Sequence, residues 1–201
     1  MRPVVRYAGP IGLGALALAA LVVVAATFYA WHAQRSLIGT LRGTPVVPER
    51  SAPALLLVDQ NGRRVPLIDP NASATFLFFG YAHCKDTCPL ALARLAQAYR
   101  SLPATSGVRV EMVTVDPARD DPASLRRFVG RFDPHFIGLT SSKATLAPLW
   151  AEFEIVVDAR SHDVVHGDGI YLIDRSRHVL GIYPPDVAPA DLAHDARIAV
   201  R

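Results

Sequence analysis

Residues 11–30 read IGLGALALAALVVVAATFYA without one charged side chain, and that run restricts the chain more than any other feature. An α-helix rises 1.5 Å per residue, so about twenty residues match the roughly 30 Å hydrocarbon core of a bilayer, where a helix also satisfies its own backbone polar groups. A membrane anchor is predicted over 11–33. A cleaved signal peptide would carry a shorter apolar stretch closed by a small-x-small site. Here Phe28 and Trp31 stand where cleavage after Ala30 or Ala33 would need small residues. Arg2 and Arg6 crowd the first flank while Arg35 and Arg42 are spread along the second, which orients residues 1–10 toward the cytoplasm. Tyr29 and Trp31 fall where an interfacial aromatic belt belongs. Only ten residues precede the run, unlike a longer amphipathic organelle presequence. The expectation is a single-pass protein of a bacterial inner membrane with its C-terminal part in the periplasm.

Residues 34–53 include Gly39, Gly43, Pro45, Pro48 and Pro53 and read as an extended periplasmic tether. Residues 54–201 then suit one domain of ordinary size. A hydrophobic fraction of 51% against 19% charged residues excludes a disordered chain. The net charge of +3 has a local origin, because five arginines and one glutamate lie within the first fifty residues. Of the 21 basic and 18 acidic residues, 16 and 17 remain beyond position 50, and no basic stripe with interleaved aromatics is present there. Nucleic acid is not an expected partner.

ALLLVDQNGRRVPLI, residues 54–68, alternates around Asn61-Gly62 and predicts a β-hairpin with a type I′ turn. Residues 75–80 form a short apolar run expected as a buried strand. Leu92, Leu95, Ala96 and Tyr99 then share one helical face, with Pro89 suited to the first turn. Strand over 108–115, helix over 123–131, strand over 136–139 and helix over 145–153 continue the alternation. IVVD, GIYLID and HVLGIY read as strands, the last two as an antiparallel hairpin at a sheet edge, and a helix over 191–198 closes the chain. Strands separated by helical stretches of about ten residues argue for βαβ units around a sheet covered by helices.

The only cysteines, Cys84 and Cys88, lie in CKDTCP where the 75–80 strand passes into a helix. As a staple, so short a loop removes only about 2 kcal/mol of unfolded-state entropy, against nearly 5 for a loop of about 100 residues. Chemistry is the better reason for the pair. A helix start presents unpaired N–H groups that favour thiolate, and Lys85 adds a positive charge beside them, or is simply a solvated loop residue. Haem attachment needs His after the second Cys, and Pro89 stands there. Thiol–disulfide exchange and metal binding remain open. Of the seven histidines, His32, His178 and His194 read as surface or interface residues and His135 and His162 as loop residues. His83 reads as a strand-end residue turned away from Cys84, since consecutive strand side chains face opposite sides. His166 opens the loop before GIYLID and reaches the cysteines only if the topology brings those loops to one sheet edge.

FFGYAHCKDTCP, VTVDPARDDPASLRRFV and VVHGDGIYLID resemble, in order and spacing, the three signature blocks of the Sco/SenC family, covering most of the chain from about Leu55. The resemblance implies a thioredoxin-like fold, with a central mixed sheet flanked by helices. It also implies one copper ion per chain, as Cu(I) with Cu(II) as a second state, and a part in building the dinuclear copper centre of cytochrome c oxidase. Cys84 and Cys88 match the family's copper-binding cysteines and His166 its copper-binding histidine. Two thiolates and an imidazole are a soft donor set suited to Cu(I). Asp86 and Asp116 are candidates to support those ligands, although 116–121 also reads as a strand-end turn followed by a helix cap at Asp120 or Asp121. Lys85 departs from a position that is Pro in many relatives, and Gly167 from one that is commonly Ser. The implied partners are the copper-site subunit of the oxidase, an upstream copper donor and a thiol reductant. The alternative is a thiol–disulfide oxidoreductase, with Cys84 and Cys88 as its redox pair, that reduces the cysteines of a copper-site apoprotein.

Overall fold

The computed structural model describes the backbone of residues 10–38, 41–157, 164–166 and 169–200, and the side chains of 14–29, 41–157 and 169–200. In chain order the elements are α1 (Pro10–Ile38), β1 (Thr44–Pro45), β2 (Leu56–Asp59), β3 (Arg64–Pro66), β4 (Ala74–Gly80), α2 (Thr87–Arg100) and β5 (Val108–Thr114). Then follow α3 (Pro122–Val129), β6 (Ile137–Thr140), α4 (Lys143–Glu152), β7 (Val156–Val157), β8 (Val164–His166), β9 (Ile170–Asp174), β10 (Val179–Tyr183) and α5 (Pro189–Ala199). They fall into two units, Met1–Thr40 and Leu41–Arg201.

In the first unit, α1 presents exposed, uncharged side chains over the whole stretch 14–29. Among the described residues no helix is long and apolar enough to cross a membrane. The anchor expectation therefore rests on the sequence of residues 11–30.

The second unit is built around β4. All seven of its residues are buried, the mark of a strand covered on both faces. Phe76 and Phe78 join α2, α3 and α5 in one apolar cluster through Leu92, Leu95, Phe128 and Leu192. Leu77 and Phe79 face the other way, onto Leu146, Leu149 and Trp150 of α4. The sheet runs β1-β10-β9-β4-β5-β6-β2-β3. β4, β5 and β6 are parallel, and the flanking strands are antiparallel. The carboxyl ends of β4 and β5 are side by side, with Gly80 opposite Thr114. β7 and β8 form a separate antiparallel pair.

Two expectations change. The stretch read as a tether over 34–53 is, from Leu41 onward, part of the folded unit: β1 pairs with β10, Ser51 bridges His178, and Ala52 is buried. The reason is a partner distant in sequence, since the Asp195 carboxylate accepts the Arg42 and Gly43 amides at 2.8 and 2.9 Å. A Cβ at Gly43 would lie 2.4 Å from the Tyr183 ring, so glycine is what admits the chain there. The hairpin at residues 54–68 is present, but its turn is longer than type I′. Gly62 donates to the Asp59 carbonyl and Asp59 to that of Arg63, with φ +77° at Gly62 alone, which is a three-residue loop ending in a bulge. The Asp59 carboxylate selects it by accepting the amides of Asn61 and Arg63, each at 2.8 Å.

Candidate metal centre

The chain leaves β4 at Gly80, turns through Tyr81, with the Cys84 amide donating to the Tyr81 carbonyl at 3.2 Å, and enters α2 at Thr87. A helix start leaves N–H groups unpaired, and an N-cap side chain normally takes one of them. Asp86, at that position, makes no such bond. Cys84 Sγ takes the role instead, accepting the Cys88 amide at 3.3 Å. Both cysteines are free thiols, Cys84 partly exposed and Cys88 only 3% exposed within the cluster on the α2 face.

The two thiols are made unequal by this geometry. The Cys88 S–H donates to Cys84 Sγ, and with the amides of Cys88 and Asp86 and a bond from Tyr81 this outweighs partial burial, bringing the Cys84 pKa from 9.0 down to about 6. Cys88 is pushed up, first by that same bond and then by burial. The exposed Lys85 is not among the main causes, so hydrogen bonding rather than a neighbouring cation makes the thiolate. Gly80 is a close-packing requirement, because a Cβ there would stand 2.7 Å from the Phe78 ring and 3.0 Å from Cys88 Sγ.

Asp86 supports Cys84 through its backbone amide while its side chain is exposed. Asp116 is 1% exposed, pairs with Arg119, and among the described residues has no partner for Oδ1. It lines a cavity of about 490 Å³ with Lys143, Trp150 and Val157. Among the described residues it makes no bond to either thiol. His166 ends β8, its backbone registered against Val156 of β7. Val157 of β7 lines the same cavity as Val115 and Asp116, which follow β5. The His166 side chain, Gly167 and Asp168, like His162 and the His32 side chain, lie outside the described residues. Among the described residues no group of three or more His, Cys, Asp or Glu is placed to hold a metal. His178 bonds Asp174, His194 bonds Asp195 and His135 bonds Asp133. His83 is exposed.

The choice left open between Asp120 and Asp121 divides cleanly. Asp121 caps α3, accepting the Ser124 amide at 2.6 Å. Asp120 is 1% exposed and accepts the Thr114 hydroxyl at 2.6 Å and the Ala82 amide at 3.0 Å. Burial raises its pKa against those bonds. Two adjacent acids before a helix that needs one cap were the only local signal for it.

A mixed sheet with a dithiol at the start of the helix after a central parallel strand defines a thioredoxin-like protein. Within that class the chain belongs to the SCO1/SenC family, whose pattern matches residues 47–201. It is 34% identical over 148 residues to the mitochondrial SCO2 homolog of Bos taurus, covering 71% of this chain and 53% of that one. It thus spans about half the length of such curated relatives. Among solved structures it is similar to ScoI of Bradyrhizobium japonicum with copper bound, at 29% identity and TM-score 0.64, covering 74% of this chain and 98% of that chain. The apo Sco1 protein of Thermus thermophilus is similar at 29% identity and TM-score 0.65, covering 79% and 95%.

Proposed function

We propose that this chain is a membrane-anchored copper carrier that takes one copper ion on Cys84, Cys88 and His166 and passes it to the copper-site subunit of cytochrome c oxidase, having received it from an upstream donor. The observation that carries the reading is the pair of free, hydrogen-bonded thiols at the α2 start, one of them held as thiolate near neutral pH. Thiolate is the metal-binding form, so Cys84 needs no proton removed above about pH 6, and Cys88 gives up its proton when the ion binds. A neutral imidazole from His166 completes a soft set for Cu(I). Residues 11–33 anchor the carrier to a bacterial inner membrane, with the folded unit in the periplasm.

The asymmetry of the thiols also supports a second reading, thiol–disulfide exchange. There Cys84 thiolate attacks a disulfide sulfur of the partner, one partner thiolate leaves, and Cys88 then displaces the second partner sulfur to form the Cys84–Cys88 disulfide. Titration with Cu(I) separates the two readings. The reduced chain is expected to bind one Cu(I); Cys84→Ala or Cys88→Ala abolishes tight binding, and His166→Ala weakens it by about 10 to 100-fold. His166→Ala is then expected to lose oxidase assembly under copper limitation while keeping disulfide exchange. Normal assembly in that variant, with loss only in the cysteine variants, would overturn the carrier reading in favour of the reductase.

A further inference from the structure

We propose that Asp120 is a positioning residue for the thiol pair, fixing through the Ala82 amide the turn that presents Cys84. The residue is held in place by three bonds, one to its carboxylate and two to its backbone. Oδ2 accepts the Thr114 hydroxyl at 2.6 Å at the end of β5, its carbonyl accepts the Thr140 hydroxyl at 3.2 Å at the end of β6, and its amide donates to the Asp116 carbonyl at 2.9 Å. From that fixed point the carboxylate reaches the Ala82 amide, at 3.0 Å from Oδ2 and 3.3 Å from Oδ1.

Ala82 lies inside the turn closed by the bond from the Cys84 amide to the Tyr81 carbonyl. The position of Cys84 Sγ against the Cys88 amide, 3.3 Å away, depends on where that turn sits. Between the end of β4 at Gly80 and the start of α2 at Thr87, the bond from the Ala82 amide ties the turn to a carboxylate that is 1% exposed. Loss of the acceptor leaves the Ala82 amide without its partner and lets the turn move, taking Cys84 Sγ away from the Cys88 amide that donates to it at 3.3 Å. The reduced pair is thereby destabilised relative to the disulfide, and the two sulfurs are no longer held for one ion.

Both consequences can be read without reference to oxidase assembly, so the inference stands or falls apart from the carrier reading. The Cys84–Cys88 reduction potential of the metal-free chain is measured in a thiol–disulfide redox buffer, and Cu(I) affinity by competition with a chromophoric chelator. In Asp120→Ala the equilibrium constant for reduction is expected to fall at least ~10-fold, about 30 mV more negative. Cu(I) affinity is expected to fall by about 10-fold or more. Asp120→Asn keeps an acceptor for the Ala82 amide and removes the charge, and is expected to restore both values to within about threefold of the parent chain. Thr114→Val frees the carboxylate from β5 and shifts both values in the same direction by less, which covers the case in which Asp120→Ala does not fold. Parent-like values in the folded Asp120→Ala or Thr114→Val chain overturn the proposal. A folded Asp120→Asn that behaves as Asp120→Ala also overturns it, because the charge and not the bond would then be the cause. Changes confined to the melting temperature would make Asp120 a structural residue only.

Discussion

Glu111 is a buried carboxyl outside the thiol pair. It lies on β5 at 2% exposure; among the described residues Oε2 has no partner, and Arg109, whose Nε is 3.6 Å away, is itself paired with Asp69. Burial raises its pKa from 4.5 to about 8, against the attraction of Arg109. A carboxyl that holds its proton in the fold and loses it in the unfolded chain stabilises the fold fully below pH 4.5, and this contribution is lost as pH rises through about 8. Cys84 acts in the opposite sense in the reduced chain, since a depressed pKa adds stability that is present above 9.0 and lost as pH falls through about 6. Glu111→Gln stays neutral throughout, so its denaturation midpoint is expected to gain on that of the parent chain steadily from pH 5 to 8.5. Parallel profiles for the two chains would show that the Glu111 charge is compensated in the fold. None of this was legible locally, because VRVEMVTV reads as a strand whichever face Glu111 takes.

At the scale of elements, periodic stretches were legible and their partners were not. The helices expected over 123–131, 145–153 and 191–198 appear as α3, α4 and α5, because a repeated apolar face is a local property of the chain. β1 escaped notice because two residues, Thr44 and Pro45, carry no pattern of their own and become a strand only through the edge of β10. That dependence yields a contrast between two shortened chains. One beginning at Leu41 is expected to keep the full unit's denaturation midpoint. One beginning at Ala54 loses β1, Ala52 and both backbone amides on Asp195, leaving a carboxylate of 0% exposure short of donors. It is expected to be destabilised by roughly 2 kcal/mol or more, in line with stripping partners from a buried charged acceptor. Equal midpoints would mean that residues 41–53 lie on the unit without holding it.

For the whole molecule, the anchor and the folded unit make separate predictions. A reporter fused after Arg201 is expected to be active only outside the cytoplasm, with the full chain in the membrane fraction and the chain beginning at Leu41 in the soluble one. A soluble mature form starting near Gln34 would show cleavage instead. The sequence by itself determined the order of the longer strands and helices, the placement of Cys84 and Cys88 at a strand-to-helix junction and the family, since each is written in residues close together in the chain. Tertiary structure alone decided that Asp121 caps a helix while Asp120 holds the cysteine turn, that residues 41–53 join the sheet, and that β2–β3 lies beyond β6 at the far edge. The physical reason is separation along the chain: the Ala82 amide meets a carboxylate 38 residues away and the Arg42 amide one 153 residues away. Such bonds exist only after the sheet has brought their ends together, and no local pattern of charge or hydropathy encodes them.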